Sequence, residues 1–460
     1  MEPAEAAKHL WPSTPAWPVI GHLPGMISLG LVPFIESVWR ELGDCFEFRA
    51  GAETIKVIVH PDDVEAMLLR RRHKYTKGAS YDQFRRLVGR GLISSEGALW
   101  RRQRRLIQPS FNRDTITALG QGMVAQVDVM LERWAAADPG GGVIDIHAEL
   151  MRLTLEITGE ALFGLRFAED RASISTREFS DALGVVAARI TAPLEAPRWL
   201  PTPGNIKLER AIASLDRVVM RIINERRQGG EDHDDLLGAL LRGSDERGDA
   251  LDDELLRDEV LTMFLAGHET TAVSLGWALW QLREQPEVRA RMLETIDAAV
   301  GQRGPTSADL PALAYIKQVF YESMRLISPV WTGARNCVEP DVLGEGYAVE
   351  PGTRVMNFIW LTHRHPEFWD QPERFDPERF APEAIAKQHK FAYLPFTHGP
   401  RKCVGEHFAT LESVLVLTRL FQRVELEAVP DFEPEMDFQL TTRPRNGLMM
   451  RWRPRARVAG

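Results

Sequence analysis

The ten residues 396-FTHGPRKCVG-405 constrain this chain more than any other stretch. They set Cys403 at the mouth of a helix-period segment, 404-VGEHFATLESVLVLTRL-420. A thiol there lies near free backbone N–H groups and the positive end of the helix dipole, and both favour its thiolate. Gly399 permits a turn with φ > 0, and Gly405 removes a side chain where a flat group can approach the helix. Phe396 can cover the sulfur side and exclude water, while Arg401 can pair with a carboxylate. At average residue usage, five fixed positions in ten arise by chance in such a chain on the order of once in ten thousand. That outweighs the alternative of a buried core cysteine with accidental neighbours.

The rest of the composition narrows the use of this thiol. With only Cys45, Cys337 and Cys403, and no CxxC pair, neither a disulfide framework nor a four-cysteine zinc site can be built. Such usage fits a reducing compartment. A hydrophobic share of 44% allows a large packed core. The net charge of -9 argues against nucleic acid as the main partner. Basic runs at 69–74, 100–105 and 443–457 read as solvated faces and a polar tail. The apolar run 26-MISLGLVPFI-35 has ten residues and contains Pro33, whereas a membrane span needs about 20. A second greasy stretch, 260–280, carries His268 and Glu269 at its centre, which is costly in lipid. A cytoplasmic chain without a membrane anchor is expected, and a monomer.

Periodicity predicts helices at roughly 61–73, 99–111, 113–137, 145–163, 177–191, 207–228, 251–284, 286–301 and 313–327. Strand signals lie at 44–60, 341–360 and 437–452, with turns at Pro351-Gly352 and Asn446-Gly447. The first 25 residues, rich in proline and tryptophan, read as an extended segment against the body. Residues 362–402 form a long stretch of proline, histidine and aromatics with little periodicity, and such loops are usually functional. No repeat or charged linker separates domains. The expected fold class is mainly α with small β-sheets (α+β), in one domain over 1–460.

The segment 251–284 is the longest helical pattern, about 50 Å at 1.5 Å per residue. Asp252, Asp253 and Glu254 favour its start, and Gln285-Pro286 ends it. Its centre, AGHETT, places the small Ala266 and Gly267 beside an acid and an alcohol, Glu269 and Thr270. Thr270 can bond back to the carbonyl of Ala266, loosening the helix there. The run HETTA resembles the zinc-protease HExxH, but Ala272 stands where the second ligand is needed. Elsewhere, Glu322 and Arg325 share a helix face at i, i+3, and Trp100 and Arg104 do so at i, i+4. An indole N–H beside a guanidinium suits a carboxylate. His363 and His365 read as surface residues of their loop.

Together these motifs resemble the cytochrome P-450 superfamily: FxxGxRxCxG at 396–405, [AG]Gx[DE]T[TS] at 266–271, ExxR at 322–325 and WxxxR at 100–104. The resemblance spreads over essentially the whole chain, with glutamate where the family more often has aspartate. It implies a single large helical domain around a buried haem b, with Cys403 as the sulfur ligand to iron. Thr270 and Glu269 would handle oxygen and its protons, with Ala266 close to the cofactor. Trp100, Arg104 and Arg335 would meet the haem propionates, with Arg401. Glu322, Arg325 and Arg379, the last in FDPERF and preferred to Arg374, would form a structural charge cluster that fixes the loop to Cys403. Substrate contacts would come from 78–89, 191–201, Val330 and Thr441-Thr442. Phe84, Leu87, Val88 and Phe264 would complete an apolar pocket for a lipophilic molecule such as a fatty acid, terpenoid or steroid.

No flavin or nicotinamide is expected on the chain itself, because 89-GRGLISSEG-97 is only a broken GxGxxG, with Ser94 at the third glycine. Electrons from NAD(P)H would arrive through a ferredoxin and its reductase, or a flavodoxin. Arg101, Arg102, Arg105 and Lys402 would form part of a basic docking face. Three activities fit the resemblance: a monooxygenase; a peroxide-driven peroxygenase, isomerase or dehydratase; and a haem sensor or electron carrier. The second typically lacks the acid–threonine pair, which is intact at Glu269-Thr270. The third has no need of the Thr270 groove.

Overall fold

Alternating apolar residues in 44–60 produce the expected hairpin. Cys45–Ala50 pairs antiparallel with Glu53–Ile58 around Gly51, whose φ is +61°. The computed structural model describes residues 9–165, 182, 185, 199–229, 235–243 and 251–455. Of the helix expected at 177–191 only residues 182 and 185 are described, both helical; the segment 191–198 lies outside the described residues, as does the side chain of Leu87. The chain, expected to form one domain, gathers into two compact units. Neither is a continuous stretch of chain, so no linker marks the boundary.

The first unit comprises Met1–Asp82, Arg325–Phe375 and Arg379–Cys403. Its main sheet runs Cys45–Ala50, Glu53–Ile58, Arg354–Asn357, Gly333–Cys337, Tyr75–Thr76 in spatial order. Glu53–Ile58 and Arg354–Asn357 are parallel and the other pairs antiparallel. A second hairpin joins Asp341–Leu343 to Tyr347–Val349. The N-terminal segment is extended only at its start. Trp11 is buried and donates its indole N–H to the Ala348 carbonyl at 2.6 Å, but Leu23–Leu29 is already helical.

The second unit comprises Gln83–Met324, Asp376–Glu378 and Val404–Gly460. Its axis is the helix Asp253–Leu282. The Asp252 carboxylate caps it by accepting from the Leu255 N–H, and two acids occupy the first turn. A helix apolar nearly all round has to be buried. Ile146–Phe163 packs against it so closely that a Cβ on Gly267 would sit 3.1 Å from Thr158 Oγ1. No described helix is long and apolar enough to cross a membrane. A three-stranded sheet, Gly142–Asp145, Met449–Pro454, Val424–Ala428, and a hairpin of Met436–Phe438 with Thr442–Pro444 complete the unit. Asn446-Gly447 therefore does not close a hairpin. The strands on either side of it belong to different sheets.

The glycine-rich run 89–97 serves packing. A Cβ on Gly89 or on Gly91 would fall 2.0 Å from the side chains of Asp258 or Thr262 on the long helix. The Arg90 and Leu92 N–H groups donate to Asp258 at 2.7 Å and Glu259 at 3.0 Å. Burial pushes the Glu259 carboxyl up to about 8, against a usual 4.5. Below pH 4.5 folded and unfolded chains both carry that proton. Between 4.5 and about 8 only the folded chain does, so stability falls as pH rises. The slope is at most about 1.4 kcal/mol per pH unit. We expect Glu259→Gln to gain on the wild type across pH 5 to 8 in urea unfolding. Parallel stability curves would exclude this assignment.

Candidate functional site

In the first unit, the loop to Cys403 is held by its own backbone. Thr397 N–H donates to Leu394, Lys402 N–H to Gly399, and Cys403 N–H to the Phe396 carbonyl at 3.0 Å. Gly399 has φ +77°, and a Cβ there would lie 2.5 Å from the Leu68 carbonyl oxygen, so both conformation and space require glycine. Thr397 also takes a positive φ, +51°, which is uncommon for a β-branched residue. Gly405 precedes the helix Glu406–Arg423 with an ordinary φ of -88°. Burial pushes the thiols of Cys45 and Cys337 up, whereas Cys403 is exposed. Cys403 is therefore the cysteine suited to act as a thiolate ligand. Phe396 and Arg401 stand half-buried in the same loop.

The path into that loop is set by Arg325. This arginine has no exposed surface and donates to the carbonyls of His363 at 2.9 Å, Pro372 at 2.7 Å and Arg374 at 3.1 Å. His363 and His365, expected on the surface, are buried. The His363 Nε2 accepts the Leu394 N–H at 2.7 Å, which leaves Nδ1–H facing the Arg325 carbonyl at 3.2 Å. His365 Nε2 meets both oxygens of Asp44 at 3.1 Å. Arg379 donates to the Gln371 carbonyl at 3.0 Å, while the side chain of Arg374 is exposed. Arg335 lies half-buried on Gly333–Cys337, its Nη1 on the Ala334 carbonyl. Val330 is partly buried beside the core of this unit.

In the second unit, Glu322 is wholly buried and accepts the Asp376 N–H at 2.8 Å. Along the long helix every residue from Asp258 to Trp280 is buried except Ala266, Gly267 and Thr270. These three share one face and form a small-residue notch. Thr270 Oγ1 donates to the Ala266 carbonyl at 2.6 Å. Gly267 turns its bare face to Thr158, and Ala266 is the exposed residue of the three. Glu269 points into the protein, where it accepts from Thr441 Oγ1 at 2.7 Å and Arg443 Nη2 at 2.9 Å. Trp100 and Arg104 are half-buried on Gly97–Ile107, four residues apart.

Several residues expected at the pocket are buried. Phe264 packs against Phe163 with ring centroids 4.5 Å apart and the planes tilted by 31°. Thr441 spends its hydroxyl on Glu269, and the Thr442 carbonyl takes the Trp277 indole N–H at 2.6 Å. Val88 is equally buried. Phe84 retains a little surface. The residues that sequence reasoning missed are Arg443, Asp258, Glu259 and His363. No local motif marks them, since each matters through a partner far away in the chain.

The family model for Cytochrome P450 matches residues 12–451. This chain belongs to the cytochrome P450 family. The P450 is 35% identical over 442 residues to cyclooctat-9-en-7-ol 5-monooxygenase of Streptomyces melanosporofaciens, covering 93% of this chain and 94% of that one. It is 32% identical to pentalenene oxygenase of Streptomyces avermitilis, covering 90% and 91%. The crystal structure of the cytochrome P450DA heme domain matches with a TM-score of 0.88 at 26% identity, over 98% of this chain and 99% of that one. The chain is thus a P450 monooxygenase with a haem-thiolate cofactor. An exposed cysteine in a loop held by its own backbone bonds fits that group.

Because Arg325 supplies donors to three carbonyls of one loop, Arg325→Ala should cost about 3–5 kcal/mol in denaturant unfolding. Arg325→Lys should recover only part, since an ammonium cannot reproduce the planar fork. A variant within 1 kcal/mol of wild type would show the loop path to be set elsewhere.

Proposed function

We propose that this P450 inserts one oxygen atom of O2 into a lipophilic cyclic molecule of the terpenoid type. The observation that carries the reading is Cys403, an exposed thiol in a loop that its own backbone bonds and Gly399 hold rigid. Two relatives named for oxidising an alkenol and pentalenene support the substrate class. Ala266, exposed in the helix notch, suits such a molecule.

Cys403 would ligate the iron of protoporphyrin IX. Trp100, Arg104, Arg335 and Arg401 would hold its propionates, with Phe396 and Gly405 beside the sulfur. The bound haem supplies electron transfer and oxygen activation. The protein's own residues supply the rest. The backbone N–H of Cys403 holds the ligand loop closed against Phe396, which preorganises the sulfur. Thr270 keeps a hydroxyl in the notch and Glu269 a carboxylate behind it, an alcohol–acid pair able to move protons inward. Two electrons from NAD(P)H would come through a separate ferredoxin or flavodoxin. Arg101 and Arg105, exposed on Gly97–Ile107, would offer it positive charge.

Cys403→Ser should abolish the red-shifted Soret band of the reduced carbon monoxide complex. A surviving band would move the ligand to another residue. Thr270→Ala should raise peroxide release per NAD(P)H several-fold, measured with a surrogate ferredoxin and its reductase. Unchanged coupling would remove Thr270 from proton delivery.

A further inference from the structure

Glu269 is buried, yet its two oxygens live differently. Oε1 accepts both the Thr441 hydroxyl and the Arg443 guanidinium. Oε2 is equally buried and has no hydrogen-bond partner. An unsatisfied buried acceptor costs roughly 1–3 kcal/mol. The two donors are not adventitious neighbours, because the residue between them is pinned: the Trp277 indole of the same long helix donates to the Thr442 carbonyl at 2.6 Å. The side chain of Arg443 is 20% exposed against 2% for Glu269, so the ion pair leads from solvent into the interior.

Two imidazoles, His268 and His147, and the Asp145 carboxylate lie near that pair. His268 is lowered to about 3, by burial first and then by His147 and Arg443. His147 is lowered to about 4, again chiefly by burial. Both imidazoles are neutral at neutral pH. Thr154 Oγ1 donates to the His268 carbonyl at 2.9 Å and keeps this part of the helix in place.

We propose that Arg443 and Thr441 are positioning residues for proton delivery: they grip Oε1 of Glu269 so that Oε2 remains the oxygen that accepts and releases the proton. Arg443 marks the solvent end of the route. The inference rests on the proposed Glu269–Thr270 role and adds the two residues that orient it. No bond to carbon forms or breaks at these side chains; one proton reaches Oε2 and leaves from it.

The test uses the full-length holoprotein with a surrogate ferredoxin and reductase. Arg443→Ala should raise peroxide released per NAD(P)H at least threefold and enlarge the solvent deuterium isotope effect. Thr441→Val should do so to a smaller degree. Arg443→Lys should return coupling to within twofold of wild type. Thermal unfolding gives a readout independent of turnover: adding Glu269→Gln to Arg443→Ala should recover part of the lost midpoint, because it removes the carboxylate left buried without its counter-ion. If Arg443→Ala does not fold, Arg443→Gln and Thr441→Val carry the same comparison. Should the Arg443 variants lose stability while coupling stays at wild-type level, the pair is only structural and the inference falls. Thr270→Ala separates the two ideas. If it uncouples and Arg443→Ala does not, this inference alone fails; if neither uncouples, the Glu269–Thr270 reading fails with it.

Discussion

A wholly buried guanidinium organises the least regular part of this protein. Between His363 and Arg374 the backbone has little helix or strand to satisfy its carbonyls. Arg325 supplies donors to three of them. Its own carbonyl takes the Nδ1–H of His363, whose other nitrogen receives the Leu394 N–H. Leu394 in turn accepts from Thr397, and Phe396 accepts from Cys403. A chain of hydrogen bonds thus runs from Arg325 to the sulfur-bearing residue. The links at Arg325, His363 and Leu394 are buried, where water cannot substitute for a lost donor.

The long helix meets the opposite problem. Being apolar on nearly every face, it packs tightly, and Gly267 lets Ile146–Phe163 approach at the very turn that carries Ala266 and Thr270. Tight packing on one side and a notch on the other place small residues where function needs room. Beneath it, Asp258, Glu259 and Glu269 bring acids into the interior, each met by backbone N–H groups or by Arg443. These acids also fasten the run 89–92 to the helix, just ahead of the segment bearing Trp100 and Arg104.

Much of this was legible in the chain because it is local. The ligand loop, the helix cap at Asp252, the hairpin at 45–58 and the Thr270 bond to Ala266 all depend on residues within a few positions of one another. Misreadings came from long-range partners. His363 and His365 look like surface residues until Arg325, Leu394 and Asp44 are placed around them. Asn446-Gly447 carries a hairpin signal, yet its flanking strands find other partners at 424–428, 436–438 and 142–145. Nothing near Thr441 in the chain announces the carboxylate that it binds 172 positions away.

The hydroxyl of Thr270 shows why an acid must accompany it. A hydroxyl has one proton to donate and two lone pairs to accept with. Here the proton is committed to the Ala266 carbonyl at 2.6 Å, so toward the notch the oxygen can only accept. It can serve as a donor there only if its proton is released from that carbonyl or replaced from behind. Neutral, buried His268 offers no ready replacement at neutral pH. In the proposed reading that proton comes by way of Glu269, one residue earlier and paired with the partly exposed Arg443. The alcohol without the acid would be a hydrogen-bond acceptor facing the notch, and the acid without the alcohol would be a carboxylate turned away from it.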